Sequence, residues 1–356
     1  MRSAISLLLL ALLGTVSCRP DPVVVGISNG VLPIQGALLA LEDARRAGMR
    51  VPVETALVQE LGNAAAPAIR AAAGFVEVPG IVAVIGHSNS AASLSAAPLY
   101  NAARVVQLAT HSTAVLYSEA GPFSFRMVPP DDYQGRFLAD RLAARYAGRR
   151  VAVVYINDEY GRGLRDNVLA ALPEGSVRIV ADLPHVELAP EEMRDRTTEA
   201  LVAARPEVIL WLSRYTDLGR WLPGVREALG PIPILGGDAL APARLGPDSL
   251  GLWEGIEFVR FLDPEARPEL IAFQERFRAR YGRAPDETAI LAYDAMGVIL
   301  AAIADGARTG EDVRRYLDSL GRGRTPYDGI AGPLTFDPEG DAERDYVLGR
   351  IPPGAP

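Results

Sequence analysis

Segments with strand character and segments with helical spacing alternate from residue 23 to residue 235, and that alternation leaves few folds open. Val23-Val24-Val25-Gly26-Ile27 is a nearly continuous β-branched run. Such a run suits a strand buried on both faces of a parallel sheet, where neither face has to stay polar. Ala and Leu spacing then predicts a helix over 35–46, with Glu42, Asp43, Arg45 and Arg46 on its outer face. The pattern repeats as strand 51–58, helix 64–76, strand 81–85, helix 91–103 and strand 105–108. A second series runs helix 134–146, strand 150–156, helix 162–172, strand 177–183, helix 191–204, strand 208–212, helix 217–229 and strand 232–235. Two further helices are expected at 269–281 and 289–304. Strand followed by helix, repeated, means βαβ units: an α/β fold with two Rossmann-like, doubly wound lobes in tandem. A length of 356 residues exceeds one compact domain and divides into two lobes of roughly 150 residues each. The proline-containing extended stretches 127–131 and 258–264 read as crossings between lobes.

Charge narrows the partners. The net charge is −8, and no Lys/Arg-rich stripe with interleaved aromatics is present, which excludes a nucleic-acid surface. Residues 1–18 form a separate object. Arg2 precedes a mostly apolar run from Ile5 to Leu13, too short to span a bilayer as a stable helix and suited to an export leader. Beyond it no stretch approaches eighteen consecutive apolar residues, so an integral membrane protein is not expected. Cys18, the only cysteine, follows the small Ser17, as the acylated cysteine of a bacterial lipoprotein signal does. Thr15 departs from the Leu usual three places before it. Residues 19–22 then read as a tether. One cysteine also excludes an internal disulfide and a thiolate metal cluster.

In open α/β sheets, ligands bind where strands end and the next loop enters a helix. Five such places carry suitable side chains. Gly86-His87-Ser88-Asn89-Ser90 offers hydroxyls and backbone N–H groups at a helix start, a seat for an anion or simply an N-cap. Ala109-Thr110-His111-Ser112-Thr113 repeats that chemistry, with the same two readings. Tyr160, ahead of Gly161 and Gly163, either covers a ligand or sits in a surface turn. Arg214 in Ser213-Arg214-Tyr215 either binds an acid bidentately or pairs on the surface. Asp238 in Gly236-Gly237-Asp238 either pairs with a ligand amine or caps the next segment. Catalysis is not expected. His87, His111 and His185 have no metal-pair spacing, and no nucleophile elbow, phosphate-cradling loop or dinucleotide fingerprint is present. No cofactor or metal is expected.

Three segments together resemble the leucine/isoleucine/valine-type periplasmic binding proteins. They are Ile85-Gly86-His87 through Pro98-Leu99-Tyr100 with 110–114, then 151–155 with Asp158-Glu159-Tyr160-Gly161-Arg162-Gly163, and Gly332-Pro333-Leu334-Thr335-Phe336-Asp337 with Gly340-Asp341. The likeness runs from about residue 23 to residue 348. It implies a type I fold: lobes 23–129 plus 263–336 and 130–262 plus 337–356, with a third crossing near 336–338 and hinge closure on ligand. By position, Ser90 resembles the ligand-carboxylate contact, and His111 and Thr113 the pair supplying a carbonyl and a hydroxyl to an amino-acid head group. Tyr160 resembles the far-lobe aromatic, Asp238 the acid for the amine, and Arg214 or Tyr215 a second far-lobe contact. The resemblance implies an exported, periplasmic solute-binding protein, anchored through Cys18, that hands an amino acid or related carboxylate to the permease of an ABC importer. An envelope sensor or assembly factor on the same fold is the alternative. The loop 28–34 is about eight residues shorter than usual in that family, His111 replaces a small residue, and Arg214 stands near an aromatic position, which moves the expected ligand away from branched-chain amino acids. Labelling of cells with a radioactive fatty acid is expected to mark the chain, and Cys18→Ser is expected to abolish the label and release the protein from the membrane fraction.

Overall fold

A computed structural model describes residues 22–60, 65–241 and 251–351. The leader and Cys18 lie outside the described residues. Five parallel strands form the first sheet: β1 (Val23–Asn29), β2 (Val53–Gln59), β3 (Ile81–Gly86), β4 (Val106–Ala109) and β5 (Ser124–Arg126), in the order β2-β1-β3-β4-β5. Every residue of β1 is buried, as its unbroken β-branched run requires. Val25 and Ile27 pack with Ala37 and Leu41 of helix α1 (Val31–Arg46). The opposite face presents Val84 to Ala72 and Phe75 of α2 (Ala65–Val76) and Tyr100 of α3 (Ser90–Ala103).

The second sheet holds β6 (Arg150–Ile156), β7 (Arg178–His185), β8 (Val208–Leu212), β9 (Ile234–Gly236) and β10 (Glu257–Arg260), all parallel. Helices α4 (Asp131–Arg145), α5 (Glu159–Ala171), α6 (Glu191–Ala204) and α7 (Tyr215–Leu229) accompany it. The period-two pattern divides its side chains between two cores. Val154, Ile209 and Trp211 meet Trp221 and Leu222 on one face. Val153 and Leu210 meet Leu138 and Leu164 on the other.

The chain then returns to the first lobe as α8 (Pro268–Tyr281), α9 (Glu287–Ala304), α10 (Gly310–Ser319) and the hairpin β11 (Tyr327–Gly329) and β12 (Gly332–Leu334). Helix α9 is long and apolar enough to cross a membrane, but it is the buried core helix of this lobe, with Ile299 and Ile303 in the same cluster as β1. A last strand, β13 (Val347–Arg350), joins the second sheet antiparallel to β10.

The crossings differ from expectation in two places. Phe258 lies inside β10, so the second crossing begins after Arg260. The third falls later than 336–338: Phe336 packs its ring on Phe125, and Arg126 bridges Asp341, so both remain with the first sheet. Five helices also begin two to four residues earlier than their apolar spacing suggests, α1 at Val31 and α9 at Glu287 among them. α4 opens at Asp131 directly after Pro130, and α7 opens at Tyr215. α5 opens at Glu159 because Asp158 caps it, accepting from the Gly161 N–H at 2.9 Å. Tyr160 and Tyr215 are therefore helical residues.

Helices α1 and α9 approach so closely that a Cβ on Gly36 would stand 2.1 Å from the Ala289 carbonyl oxygen. Gly36→Ala is expected to destabilise the protein by about 1–3 kcal/mol through overpacking. Gly74→Ala, in α2 with nothing within 4 Å of the new atom, is expected to be neutral or to stabilise by about 0.5–1 kcal/mol. Urea unfolding of the two variants checks the contrast.

Candidate functional site

The carboxyl ends of both sheets face a cavity of about 480 Å³. The first lobe contributes Ser88, Asn89, Ser90, His111 and the start of α9, and the second contributes Tyr160, Arg214, Tyr215, Asp238 and Arg260. Five of the six residues singled out from sequence thus line one space. Tyr215 lines it beside Arg214, so that pair is not a choice between alternatives. Thr113 is fully buried and is not among the lining residues; its carbonyl accepts the Asp131 N–H at 2.7 Å, tying its loop to the start of α4.

At the first-lobe wall, Asn89 is the N-cap of α3, its side chain accepting from the Ala92 N–H at 3.0 Å. Ser90 is thereby released from capping. Its Oγ accepts from the Ala114 N–H at 3.2 Å, which joins the two Ser/Thr loops. His87 is fully buried and lies outside the cavity lining. Its Nδ1 meets the Glu60 carboxylate and its Nε2 lies 3.1 Å from the Tyr100 hydroxyl. Glu60 also accepts from Ser28 Oγ at 2.8 Å and from the Ser88 N–H at 2.9 Å. Burial pushes the Glu60 carboxyl up, but the hydrogen bonds from His87, Ser88 and Ser28 outweigh it and hold the group below the usual carboxylate range. His87 supports the binding loop from behind.

The His111 loop is held by Arg126, at the end of β5 and fully buried. Its Nε donates to Asp341 Oδ1 at 2.6 Å, and its Nη2 donates to Asp341 Oδ2 at 2.8 Å and to Ser118 Oγ. Nη1 donates to the carbonyls of Ser112 at 3.2 Å and Ala114 at 2.9 Å. All five guanidinium donors have acceptors, the condition under which a buried charge is tolerated.

At the second-lobe wall, Asp238 follows β9 and is almost wholly buried. Gln134 of α4 clasps it twice: Nε2 donates to Oδ1 at 2.8 Å, and Oε1 accepts the Asp238 N–H at 2.8 Å. The Tyr160 hydroxyl donates to the same Oδ1 at 2.8 Å. Burial and then the Asp238 charge push the Tyr160 hydroxyl well above its usual range, so it remains a donor. A Cβ on Gly237 would stand 2.7 Å from the Tyr160 hydroxyl and 2.8 Å from Gln134 Oε1, so a side chain here would push both from Asp238. Asp131 lies close by, buried, and burial together with the Asp238 charge pushes its carboxyl well above the usual range. Gln134 and Asp131 went unnoticed in sequence because nothing local distinguishes them from ordinary helix-start residues. Across the cavity, His111 Nε2 stands 3.6 Å from Asp238 Oδ2, with its ring edge-on to Phe261 at 5.1 Å. Arg214 donates through Nη2 to Asp158 Oδ2 at 2.8 Å, while its Nη1 is buried without a hydrogen-bond partner. No group of three His, Cys, Asp or Glu side chains that could hold a metal occurs among the described residues.

Two doubly wound lobes, three crossings and a polar cavity between the sheets define a cleft-type solute binder of the type I fold. The chain belongs to the periplasmic binding protein family, whose model matches residues 28–355. It is 26% identical to an amino acid binding protein of Pseudomonas aeruginosa over 321 residues, 88% of this chain and 83% of that one. It is 24% identical to the Leu/Ile/Val-binding protein homolog 1 of Brucella melitensis, covering 78% and 73% of the two chains. The ABC transporter substrate-binding protein of Desulfitobacterium hafniense, solved in complex with Leu, superimposes with a TM-score of 0.77 at 26% identity over 94% of this chain and 98% of that one.

Breaking the buried pair should be costly. Arg126→Met is expected to lower the unfolding free energy by about 3–5 kcal/mol, and Asp341→Asn by a similar amount. The double variant is expected to lose clearly less than the two losses added, since both remove one interaction. Additive losses in denaturant melts would contradict a direct pair.

Proposed function

We propose that this protein captures an amino acid or related small carboxylate in the interlobe cavity and delivers it to an ABC permease from the periplasmic side, tethered through Cys18. The observation that carries the reading is the convergence of Ser90, His111, Tyr160, Arg214 and Asp238 on one cavity. The volume, and a polar lining interrupted by Phe258, Pro264 and Ile290, suit a site for a small polar solute. The Desulfitobacterium protein's complex with Leu supports a small solute of this size. In this reading Ser90 and the α3 N-terminus hold the carboxylate, because a helix start favours negative charge. Tyr160 and Asp238 form the opposing wall, and the lobes close by rotation about the three crossings. The protein performs no chemistry on the solute.

A thermal-shift screen of amino acids and small carboxylates tests this. A true ligand at 100 times its Kd is expected to add about 2.7 kcal/mol of stability. Ser90→Ala is expected to weaken that ligand by about 10- to 100-fold, the loss of a hydrogen bond to a charged group. Absence of any shift across both classes would contradict the reading.

A further inference from the structure

We infer that the solute is an organic anion without an ammonium group, because the chain seats its own His111 ring against Asp238 and leaves an arm of Arg214 unfilled. This rests on the cleft-binding reading above and narrows its ligand class.

The argument begins with acceptors. An ammonium ligand needs oxygens left free for its three N–H donors. In this cavity the chain's own groups already hold one oxygen of Asp238 and of Asp286 and stand over the other oxygen of Asp238. Asp238 Oδ1 accepts from both Gln134 and Tyr160, and Oδ2 faces His111 Nε2 at 3.6 Å, just beyond hydrogen-bond range. Asp286 Oδ1 accepts from the Ala289 N–H at 2.9 Å and from Thr288 Oγ1 at 2.6 Å, as the cap of α9. Glu287 is held by Arg260 and by the Phe261 N–H. A ligand ammonium entering beside Asp238 would have to displace the His111 ring from its edge-on seat against Phe261.

Donors give the opposite picture. Arg214 lines the cavity, and its Nη1 is buried with no hydrogen-bond partner. A buried guanidinium N–H without an acceptor is costly, and an incoming oxygen satisfies it. On the facing wall Ser90 Oγ accepts from Ala114 and retains its own proton to donate, next to the N-terminus of α3. One wall thus offers a hydroxyl and a helix start, and the other an unfilled arm of a guanidinium. A carboxylate bearing a second oxygen acceptor satisfies both.

The test uses matched pairs that differ only in the amine: leucine and 4-methylpentanoate, phenylalanine and 3-phenylpropanoate, glutamate and glutarate. Isothermal titration of the full chain with all six is expected to show the amine-free member binding at least tenfold more tightly in every pair that binds. His111→Ala uncovers Asp238 Oδ2 and is expected to move the ratio at least tenfold towards the amino acid. Arg214→Met is expected to weaken the amine-free acid at least tenfold, with the far-ultraviolet spectrum unchanged. Tighter binding of an amino acid than of its amine-free partner overturns this inference and leaves the cleft-binding reading standing. A ratio unmoved by His111→Ala overturns it as well. No binding of any of the six defeats the cleft-binding reading, and this inference with it.

Discussion

Arg126 is the fixed point on which the cavity's first wall depends. A guanidinium with no exposure is tolerable only when every donor is met, and its five N–H groups reach four separate places. They are the carboxylate of Asp341, the hydroxyl of Ser118 and the carbonyls of Ser112 and Ala114. The Asp341 link holds the late segment against β5 before the chain leaves for the second sheet. The two carbonyl links set the height of the loop that carries His111, and Ser90 joins that loop to α3 through Ala114. One buried charge thus couples the end of the first sheet, the binding loop and the approach to the last crossing.

The second wall is built by a different device. Asp238 is fixed by neutral donors from two helices, Gln134 on α4 and Tyr160 on α5, with Gly237 small enough to let them approach. Both donate to Oδ1, which leaves Oδ2 towards the other lobe. His111 answers it from the other lobe. The cavity therefore sets an imidazole of one wall against a carboxylate of the other before any solute arrives, and the arm of Arg214 remains the unfilled position.

Much of this was legible in the sequence, and the parts that were not share a physical reason. β-branched runs and helical spacing are local signals, so the strands and helices of both sheets fall close to where periodicity puts them. The rule that ligands gather at strand carboxyl ends, together with the family resemblance, singled out Ser90, His111, Tyr160, Arg214 and Asp238, and these five line one cavity. Contacts between distant residues leave no such mark. Arg126 and Asp341 are 215 positions apart, and each looks like an ordinary charged residue in its own surroundings. Glu60 and His87 likewise form a pair only once β2 and β3 flank β1. That pair explains why His87, in a loop of ligand-like composition, faces the interior. Thr113 shows the converse: it shares a loop with His111, yet it is fully buried and does not line the cavity. The helix starts were missed by about a turn because cap chemistry at Asp158, and the Pro130 that precedes α4, act outside the apolar pattern.

The most direct test of this account is the identity of the molecule that the cleft holds when the protein is purified without refolding. Native mass spectrometry, followed by release and amine-reactive labelling, reads both occupancy and chemistry. The account predicts one small acid per chain that does not react with the amine label and is absent from Arg214→Met. An amino acid bound at one per chain in that cleft would contradict it.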